Sequence, residues 1–438
     1  MTAKFIDREA PPQRALVIHP DREERGFSRT AEARLEEAVG LAMALDLVIE
    51  GRLIAPLRRL TPATLFGKGK VAEIGEAVEA DEIDVVVVDD ALTPVQQRNL
   101  ERAWKAKVID RTGLILEIFA RRARTREGRL QVELARLSYE RSRLVRTWTH
   151  LERQRGGFGV MGGPGETQIE TDRRLLAEKI GKLKRDLVEV RRTRTLQRGA
   201  RQRHPYPAVA LVGYTNAGKS TLFNRLTAAE VVAQDMLFAT LDPTLRMLKL
   251  PDGRPAILSD TVGFISDLPH ELVEAFRATL EEVREADVIL HVRDIASEES
   301  DAQAQDVRGV LDRLGVDIEE RNVLEVWNKI DQVPADQRAL LEGDARRAHP
   351  PAILVSAVTG EGCDALLAAV ADLVDEAAPV EAHVPVGEGA AIAWLYRHGR
   401  VIDRTTEDDG AVRLAVRLTP QALGQFEQLF PSAELRGG

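Results

Sequence analysis

The stretch AVALVGYTNAGKS, residues 208–220, joins a run of apolar residues to a glycine-rich loop that ends in lysine and serine. A loop of spacing G-x-x-x-x-G-K-S follows a β-strand, opens a helix and wraps phosphate groups with its backbone N–H groups. Lys219 is expected to reach the β- and γ-phosphates, and the Ser220 hydroxyl is expected to bind Mg²⁺. The predicted loop consists of Gly213, Tyr214, Thr215, Asn216, Ala217, Gly218, Lys219 and Ser220. It predicts a nucleotide-binding α/β domain with a mostly parallel sheet.

A second motif follows the predicted strand AILSD, about 40 residues beyond the loop. It consists of Asp260, Thr261, Val262 and Gly263. In nucleotide switches an aspartate at this place meets the Mg²⁺ shell, and the glycine N–H senses the γ-phosphate.

The first switch is expected between these motifs. Its residues are Phe238, Ala239, Thr240, Leu241 and Asp242. We expect Thr240 to close over Mg²⁺ and the γ-phosphate, with a structural role in an edge strand as the alternative.

The identity of the nucleotide base is predicted from the residues at two further strand ends. One carries Asn328, Lys329, Ile330 and Asp331, and the next carries Ser356, Ala357 and Val358. A carboxylate at Asp331 can accept both the N1–H and the exocyclic amine of guanine, whereas adenine offers no matching donors. A backbone N–H in the second group can meet the guanine O6. The order of the motifs therefore predicts GTP.

Phe264 occupies the position where many such enzymes carry a glutamine that orients the attacking water. A phenyl ring cannot hold that water. Lys219, Thr240 and Gly263 are the expected catalytic residues, and they predict a low rate of hydrolysis. A partner can raise such a rate by up to roughly 10³–10⁵-fold.

Composition indicates a soluble globular protein, because 44% of the 438 residues are hydrophobic and 30% are charged. The single cysteine, Cys363, excludes an internal disulfide framework. The N-terminus lacks the apolar core of a signal peptide, and no long uncharged apolar run is present. We therefore expect a cytoplasmic protein without integral membrane contact. We also expect a monomer.

Charge is strongly segregated. The net charge is −9, yet residues 121–203 hold 23 Lys and Arg against 10 Asp and Glu. A concentrated basic segment in an acidic protein indicates a local contact with a polyanion, and the alternative is a solvated arginine-rich helix face.

The pattern predicts a multidomain α/β protein with four domains: an N-terminal α/β domain (1–125), an antiparallel helical hairpin (126–203), a phosphate-loop GTPase domain (207–376) and a small α+β domain (382–438). Leucines at heptad spacing predict the hairpin, whose second helix we expect to begin at the capping box of Thr167 and Glu170. The glycine-rich segment between the helices is expected to form its tip. In the last domain, AIAWLY (391–396) and AVRLAVRL (411–418) are expected to be strands, with a helix from Pro420.

The stretch LERQRGGFGVMGGPGETQIETDRRLL, residues 151–176, closely resembles the glycine-rich signature of the HflX family. FATLDPT (238–244), DTVGF (260–264) and the domain order are similar to the family as well, and the resemblance covers nearly the whole chain. It implies a bacterial GTPase that associates with the large ribosomal subunit, linked to rescue or splitting of stalled ribosomes and to subunit maturation. It further implies that guanine nucleotide binds at the motifs above, with Mg²⁺ on Ser220 and Thr240. The N-terminal and helical domains are implied to contact ribosomal RNA.

One departure from the family lies in HVRDIAS, where relatives tend to carry an uncharged residue in place of Arg293. The neighbouring His291 and Asp294 are expected to be structural.

Two other functions are alternatives to a ribosome-dependent GTPase. The first is an RNA-binding assembly module that GTP gates, with incidental hydrolysis. The second is a tRNA-modification GTPase, which is disfavoured because residues 364–438 lack the cysteine expected of it.

Overall fold

The computed structural model describes residues 12–22, 29–154, 164–201, 206–227, 237–238, 241, 244–268, 272, 281–313, 315–316, 322–374, 380–407, 410–418 and 420–437. The chain divides into two compact units, one of Met1–Arg246 with Ile257–Glu361 and one of Met247–Ala256 with Gly362–Gly438. The described residues form two sheets with parallel pairing and one antiparallel sheet, which confirms the predicted α/β class. The finer division into four domains stays a prediction. No helix among these residues is both long and apolar enough to cross a membrane.

The first sheet has four parallel strands in the order β2-β1-β3-β4. Its strands and helices are β1 (Arg14–Asp21), α1 (Ala31–Met43), β2 (Val48–Pro56), α2 (Lys68–Ala80), β3 (Val85–Val88), α3 (Pro94–Trp104), β4 (Lys107–Asp110) and α4 (Arg111–Arg122). Strand β3 is four buried valines, as a parallel strand covered on both faces requires. Thr30 and Asp110 cap α1 and α4 by accepting from backbone N–H groups. The parallel pairing of β1, β3 and β4 places His19, Asp89 and Asp110 at one edge of the sheet.

Two long helices follow, α5 (Arg126–Gln154) and α6 (Pro164–Arg201), and they pack against each other. On α6 the buried side chains Ile180, Leu183 and Leu187 keep the predicted heptad spacing. The helix begins at Pro164, three residues before the predicted capping box, and proline suits a first helical turn. Residues 155–163 of the predicted glycine-rich tip lie outside the described part of the chain.

The first turns of α5 have a second contact that the heptad pattern did not predict. Val132 and Ala135 are buried in the hydrophobic core of the preceding α/β sheet. Next to them, the Tyr139 hydroxyl donates to the Asp110 carboxylate at 2.6 Å, and Arg143 pairs with the same carboxylate at 3.2 Å. Helix α5 is therefore fixed to the N-terminal sheet at its start.

The second sheet has six strands in the order β10-β9-β8-β5-β7-β6. Its elements are β5 (Ala208–Gly213), α7 (Lys219–Thr227), β6 (Thr244–Lys249), β7 (Pro255–Asp260), α8 (Glu281–Arg284), β8 (Val288–Asp294), α9 (Ser300–Arg313), β9 (Val323–Asn328), a 3₁₀ turn (Ile330–Gln332), α10 (Ala335–Arg347) and β10 (Ala352–Leu354). Strand β5 pairs in parallel with β7 and β8, and β8 pairs in parallel with β9. The carboxyl ends of these strands meet at one edge, where the predicted motifs begin.

A buried ion-pair cluster explains the unusual Arg293. Its guanidinium donates to the Glu325 carboxylate at 2.9 Å and lies 5.6 Å from the centre of the Trp327 ring. Trp327 donates to the same carboxylate at 2.8 Å. Burial by itself raises the pKa of Glu325, but the His291 ring 3.8 Å away, the hydrogen bond from Trp327 and the charge of Arg293 hold it well below its usual value. Arg293 and His291 therefore stabilise the interior of the sheet.

The C-terminal sheet is antiparallel, with the order β12-β13-β11-β14. The second unit's helices and these strands are α11 (Cys363–Val374), β11 (Val380–Val384), α12 (Gly389–His398), β12 (Arg400–Thr406), β13 (Val412–Arg417), α13 (Pro420–Leu429) and β14 (Glu434–Gly437). The expected strand and helix at β13 and α13 are present. The predicted strand at AIAWLY is wrong, because that segment lies in α12. Ala391 and Leu395 are both buried there, which is the four-residue spacing of one helix face.

Candidate functional site

The loop between β5 and α7 is shaped by two glycines that approach neighbouring groups too closely for any side chain. Gly213 has φ +152°, and a Cβ there would lie 2.2 Å from the carbonyl oxygen of Val292. Gly218 has φ +89°, and its Cβ would lie 2.2 Å from the amide nitrogen of Asn328. Helix α7 begins at Lys219, directly behind the loop. The backbone is thus folded as a phosphate-binding loop at a helix N-terminus.

Lys219 is buried at the centre of this loop. Its ammonium donates to the carbonyl oxygens of Gly213 at 3.1 Å and Tyr214 at 2.7 Å. Burial lowers the pKa of Lys219 to about 8, while the charge of Asp260 acts in the opposite direction. A bound phosphate would supply the opposite charge that this lysine is placed to meet.

Ser220 and Asp260 lie side by side, since the serine hydroxyl donates to the carboxylate at 2.7 Å. Hydroxyl and carboxylate oxygens are the ligands that Mg²⁺ prefers, so this pair fits the predicted metal. Thr240 lies outside the described residues, together with Ala239 and Asp242. Of the first switch, Phe238 and Leu241 are described, and both are buried.

The second switch is bonded directly to the phosphate loop. The N–H of Phe264 donates to Gly213 at 3.1 Å, and the N–H of Thr215 donates to the Phe264 carbonyl at 2.7 Å. The Phe264 side chain is 1% exposed and belongs to the hydrophobic core. Gly263 is close to Lys219, because a Cβ there would lie 3.0 Å from the Lys219 nitrogen. The segment thus places a glycine backbone beside the lysine while the phenyl ring points into the interior.

The rest of the second motif is structural in this arrangement. The Thr261 hydroxyl donates to the Leu211 carbonyl at 2.6 Å, and both Thr261 and Val262 are buried. These contacts fix Asp260 and Gly263 against strand β5.

The two base-recognition segments are held together by Asn328. Its amide donates to the Ala217 carbonyl at 2.8 Å, and its side-chain oxygen accepts from the N–H of Ala357 at 3.0 Å. One side chain therefore links the phosphate loop to the segment expected at the guanine O6. This bracing role of Asn328 was not part of the prediction.

Asp331 and Ser356 are neighbours, because the Ser356 hydroxyl donates to the Asp331 carboxylate at 2.6 Å. Lys329 has φ +68° and pairs with Asp294 at 2.8 Å, while Ile330 is buried. Asn216, in the phosphate loop, also has a positive φ of 62°.

Arg225, on α7, is a residue that the motifs did not indicate. Its guanidinium donates to the carbonyl of Ala357 at 3.1 Å and also to that of Val358. Arg225 therefore fixes the position of the segment with Ala357 and Val358. A lone arginine on an amphipathic helix carries no sequence pattern that distinguishes it from a surface residue.

The fold and these motifs define a phosphate-loop GTPase. Four family models match successive parts of the chain: "GTP-binding GTPase N-terminal" at residues 32–120, "GTP-binding GTPase Middle Region" at 122–201, "50S ribosome-binding GTPase" at 208–329 and "HflX C-terminal domain" at 344–432. The chain belongs to the HflX family of GTPases.

Two curated relatives illustrate the extent of the similarity. GTPase HflX of Magnetococcus marinus is 50% identical over 424 residues, which are 97% of this chain and 96% of the relative. GTPase HflX of Escherichia coli is 48% identical over 372 residues, which are 85% of each chain. A solved structure described as "crystal structure of SsGBP and GDP complex" is 25% identical, covers 83% of this chain and 98% of its own, and has a TM-score of 0.48.

Proposed function

We propose that this GTPase hydrolyses GTP slowly by itself and acts on the large ribosomal subunit, in rescue or splitting of stalled ribosomes or in subunit maturation. The observation that carries the proposal is the burial of Phe264 beside the phosphate loop, Lys219 and the Ser220–Asp260 pair. Such a site binds and senses GTP but has no side chain at that position to orient the water.

Guanine nucleotide is proposed to bind across the strand ends described above. In this arrangement the phosphate loop and Lys219 hold the phosphates, and Asp331 recognises the base. Ser356, Ala357 and Val358 meet the guanine O6, and Phe238–Asp242 closes over the γ-phosphate. Mg²⁺ is proposed to bind Ser220 and Thr240, with Asp260 in its surroundings.

The chain's own residues account for a low rate. Lys219 stabilises negative charge on the transferring phosphate, and the N–H of Gly263 orients the γ-phosphate. Mg²⁺, when bound, neutralises charge on the phosphate oxygens. Phe264 cannot orient the attacking water. We propose that a partner, or a rearrangement of the switches, orients it instead.

The ribosome is proposed as that partner. Residues 121–203 hold 23 Lys and Arg against 10 Asp and Glu, which suits the phosphates of ribosomal RNA. The description "50S ribosome-binding GTPase" of the family model at 208–329 supports the same partner. We further propose that the protein is cytoplasmic and monomeric, and that the N-terminal and helical domains contact RNA.

GTP turnover with and without purified large subunits tests this proposal. We expect slow turnover alone and marked stimulation by the subunit, up to the roughly 10³–10⁵-fold that partners achieve in this class. Equal rates in both conditions would refute activation by the ribosome.

The basic segment also favours a second function, an RNA-binding module in which GTP only gates docking. Binding of large subunits that depends on GTP, without a change in turnover, would support this alternative.

Deletion of residues 156–165 should impair the ribosome-dependent activity and leave nucleotide affinity intact. The reverse pattern would argue against a functional role of the glycine-rich segment.

A further inference from the structure

The phosphate loop is connected to the N-terminal α/β domain through the side chain of Tyr214. Its hydroxyl donates to the Glu37 carboxylate on α1 and accepts from Arg29 at 2.9 Å. The same hydroxyl accepts the backbone N–H of Ser266 at 2.8 Å. All hydrogen-bonding positions of the phenol are therefore used, and one of its partners belongs to the second switch.

Glu37 gathers the remaining bonds. Its carboxylate accepts from Arg29 at 2.8 Å, from the Ser266 hydroxyl at 2.9 Å and from Arg111. Burial by itself raises the pKa of Glu37, but the charges of Arg111 and Arg29 keep it below its usual value. The carboxylate is thus a fixed anion inside the protein, and it accepts from both Tyr214 and Ser266.

Arg111 completes the attachment of the second switch. Its guanidinium donates to the Ser266 carbonyl at 3.0 Å and to the Ser266 hydroxyl at 2.9 Å. It is held from behind by Asp89 at 2.6 Å, and Asp89 is bonded to His19 at 2.9 Å. Every polar group of Ser266 is therefore bonded to Tyr214, Glu37 or Arg111.

Tyr214 and Ser266 both belong to segments that lie next to Lys219. The Tyr214 carbonyl accepts from the Lys219 ammonium at 2.7 Å. Ser266 is three residues after Gly263, whose Cβ would lie 3.0 Å from the Lys219 nitrogen. Phe264, which lies between Gly263 and Ser266 in the chain, is joined to the phosphate loop by two backbone hydrogen bonds. The segment 263–266 is therefore anchored at both ends in a position next to Lys219.

The first switch also contacts the N-terminal domain. The ring of Phe238 packs edge-on against that of Phe119 on α4, with 4.7 Å between their centres. A Cβ on Gly40 would lie 3.1 Å from the Leu237 side chain, so α1 is in close contact with the same segment. Both switches thus rest on the N-terminal domain.

We infer that Tyr214 is a positioning residue for GTP hydrolysis: held by Glu37, its hydroxyl keeps the segment 263–266 where the Gly263 N–H can meet the γ-phosphate. The N-terminal domain thereby sets the geometry of the second switch. The inference depends on GTP hydrolysis and is independent of the proposed action on the ribosome.

The test uses the full-length protein with Tyr214→Phe, Glu37→Gln and the double variant. Tyr214→Phe keeps the ring and removes only the hydroxyl, so its fold is retained even where Glu37→Gln is too unstable to study. Glu36→Gln is the matched control, because Glu36 is exposed on the same helix and pairs only with Arg52, at 2.6 Å, among the contacts of its carboxylate described here. The measurements are the single-turnover rate at saturating GTP without ribosomes and the affinities for GDP and GTP.

We expect Tyr214→Phe to lower the single-turnover rate by roughly 5–20-fold, the factor for about one buried hydrogen bond. GDP affinity should change by less than about twofold, since the backbone contacts of the loop remain. The double variant should be no slower than the slower single variant, because both substitutions interrupt one network. The control should retain the original rate.

Three results would overturn the inference. One is an unchanged or faster rate in Tyr214→Phe. Another is a rate loss accompanied by an equal loss of GDP affinity, which would indicate damage to the phosphate loop itself. The third is additive effects of Tyr214→Phe and Glu37→Gln, which would separate the two residues. Loss of ribosome stimulation alone, with the expected basal pattern, leaves the inference supported and bears only on the proposed partner.

Discussion

Strand β5 ends at Gly213 and is followed by a loop of backbone N–H groups, whereas His19 lies near the carboxyl end of β1 and Asp89 directly follows β3. The first loop has the backbone form of a phosphate-binding loop at a helix N-terminus. The second set of side chains bonds to one another and to Arg111. Both sheets contain parallel strands, and in the described part of the chain the glycine-rich loop belongs to the second sheet.

The difference shows how similar sheets can serve binding and support. Glycine adds no side chain over the backbone, so a ligand can approach the backbone of the phosphate loop closely. Buried ionic side chains need partners inside the protein. The edge of the first sheet that carries His19 and Asp89, called the N-terminal edge here, therefore uses these side chains for bonds within the protein. Those bonds reach Tyr214 and Ser266, which makes the N-terminal edge the support of the nucleotide edge.

The largest effect is expected from breaking the support. Arg111→Met leaves Glu37 and Asp89 buried without their shared cation, and the free energy of unfolding should fall by about 3–5 kcal/mol. Chemical denaturation followed by tryptophan fluorescence measures it. Arg52→Met is the control, because both side chains of its ion pair with Glu36 are exposed and the pair should contribute less than about 1 kcal/mol. Equal losses in the two variants would contradict the assigned importance of the buried cluster.

Asp331→Asn acts on the nucleotide edge alone. The amide cannot accept both guanine donors, so GTP affinity should fall roughly 10–100-fold and xanthosine triphosphate should bind better than GTP. Competition binding with both nucleotides measures the preference, with Asp336→Asn, an exposed neighbour, as control. Unchanged GTP affinity would overturn the assignment of Asp331 to the base.

The GDP affinity should depend on pH, because Lys219 at the nucleotide edge changes its charge. The pKa of Lys219 is lowered to about 8 by burial, so the free protein loses this proton as the pH rises through that value. Phosphate favours the charged lysine, so binding takes up a proton. GDP affinity should therefore fall by about tenfold between pH 7 and 9. Calorimetry in two buffers of different ionisation enthalpy measures the uptake, and Lys219→Ala should abolish it. A flat affinity over this range would contradict the role of burial.

The smallest effect on catalysis is expected from Phe264→Gln, although it restores the residue that many GTPases carry. The position faces the core, so the amide is buried away from the nucleotide and hydrolysis should change by less than about threefold. Thermal unfolding should occur at a lower temperature, because a polar group is then buried. Single-turnover assays and thermal melts, with Phe264→Leu as control, check both expectations. A large acceleration would show that this segment leaves the core when GTP binds.

Local patterns predicted much of this molecule. The strand-loop-helix of the phosphate loop, the strand ends at Asp260 and Asn328 and the heptad stripe of α6 all follow from residue spacing within short segments. The segment AIAWLY failed because a short apolar run fits a strand or a buried helix, and only packing decides between them. The docking of Tyr139 and Arg143 onto Asp110 was also missed, since the heptad stripe describes one face of α5 and these residues use another.

By itself, the sequence determined the class of the protein, its nucleotide and the likeness of its glycine-rich segment to the HflX family, because each motif for phosphate or guanine is a short run of residues. Only the tertiary structure decided that Phe264 lies in the core and that Tyr214 is bonded to Glu37, 177 residues away. Charged residues such as Glu37 and Arg111 look like surface residues in a sequence. Their burial depends on partners brought together by folding, and no periodic pattern records such a partnership.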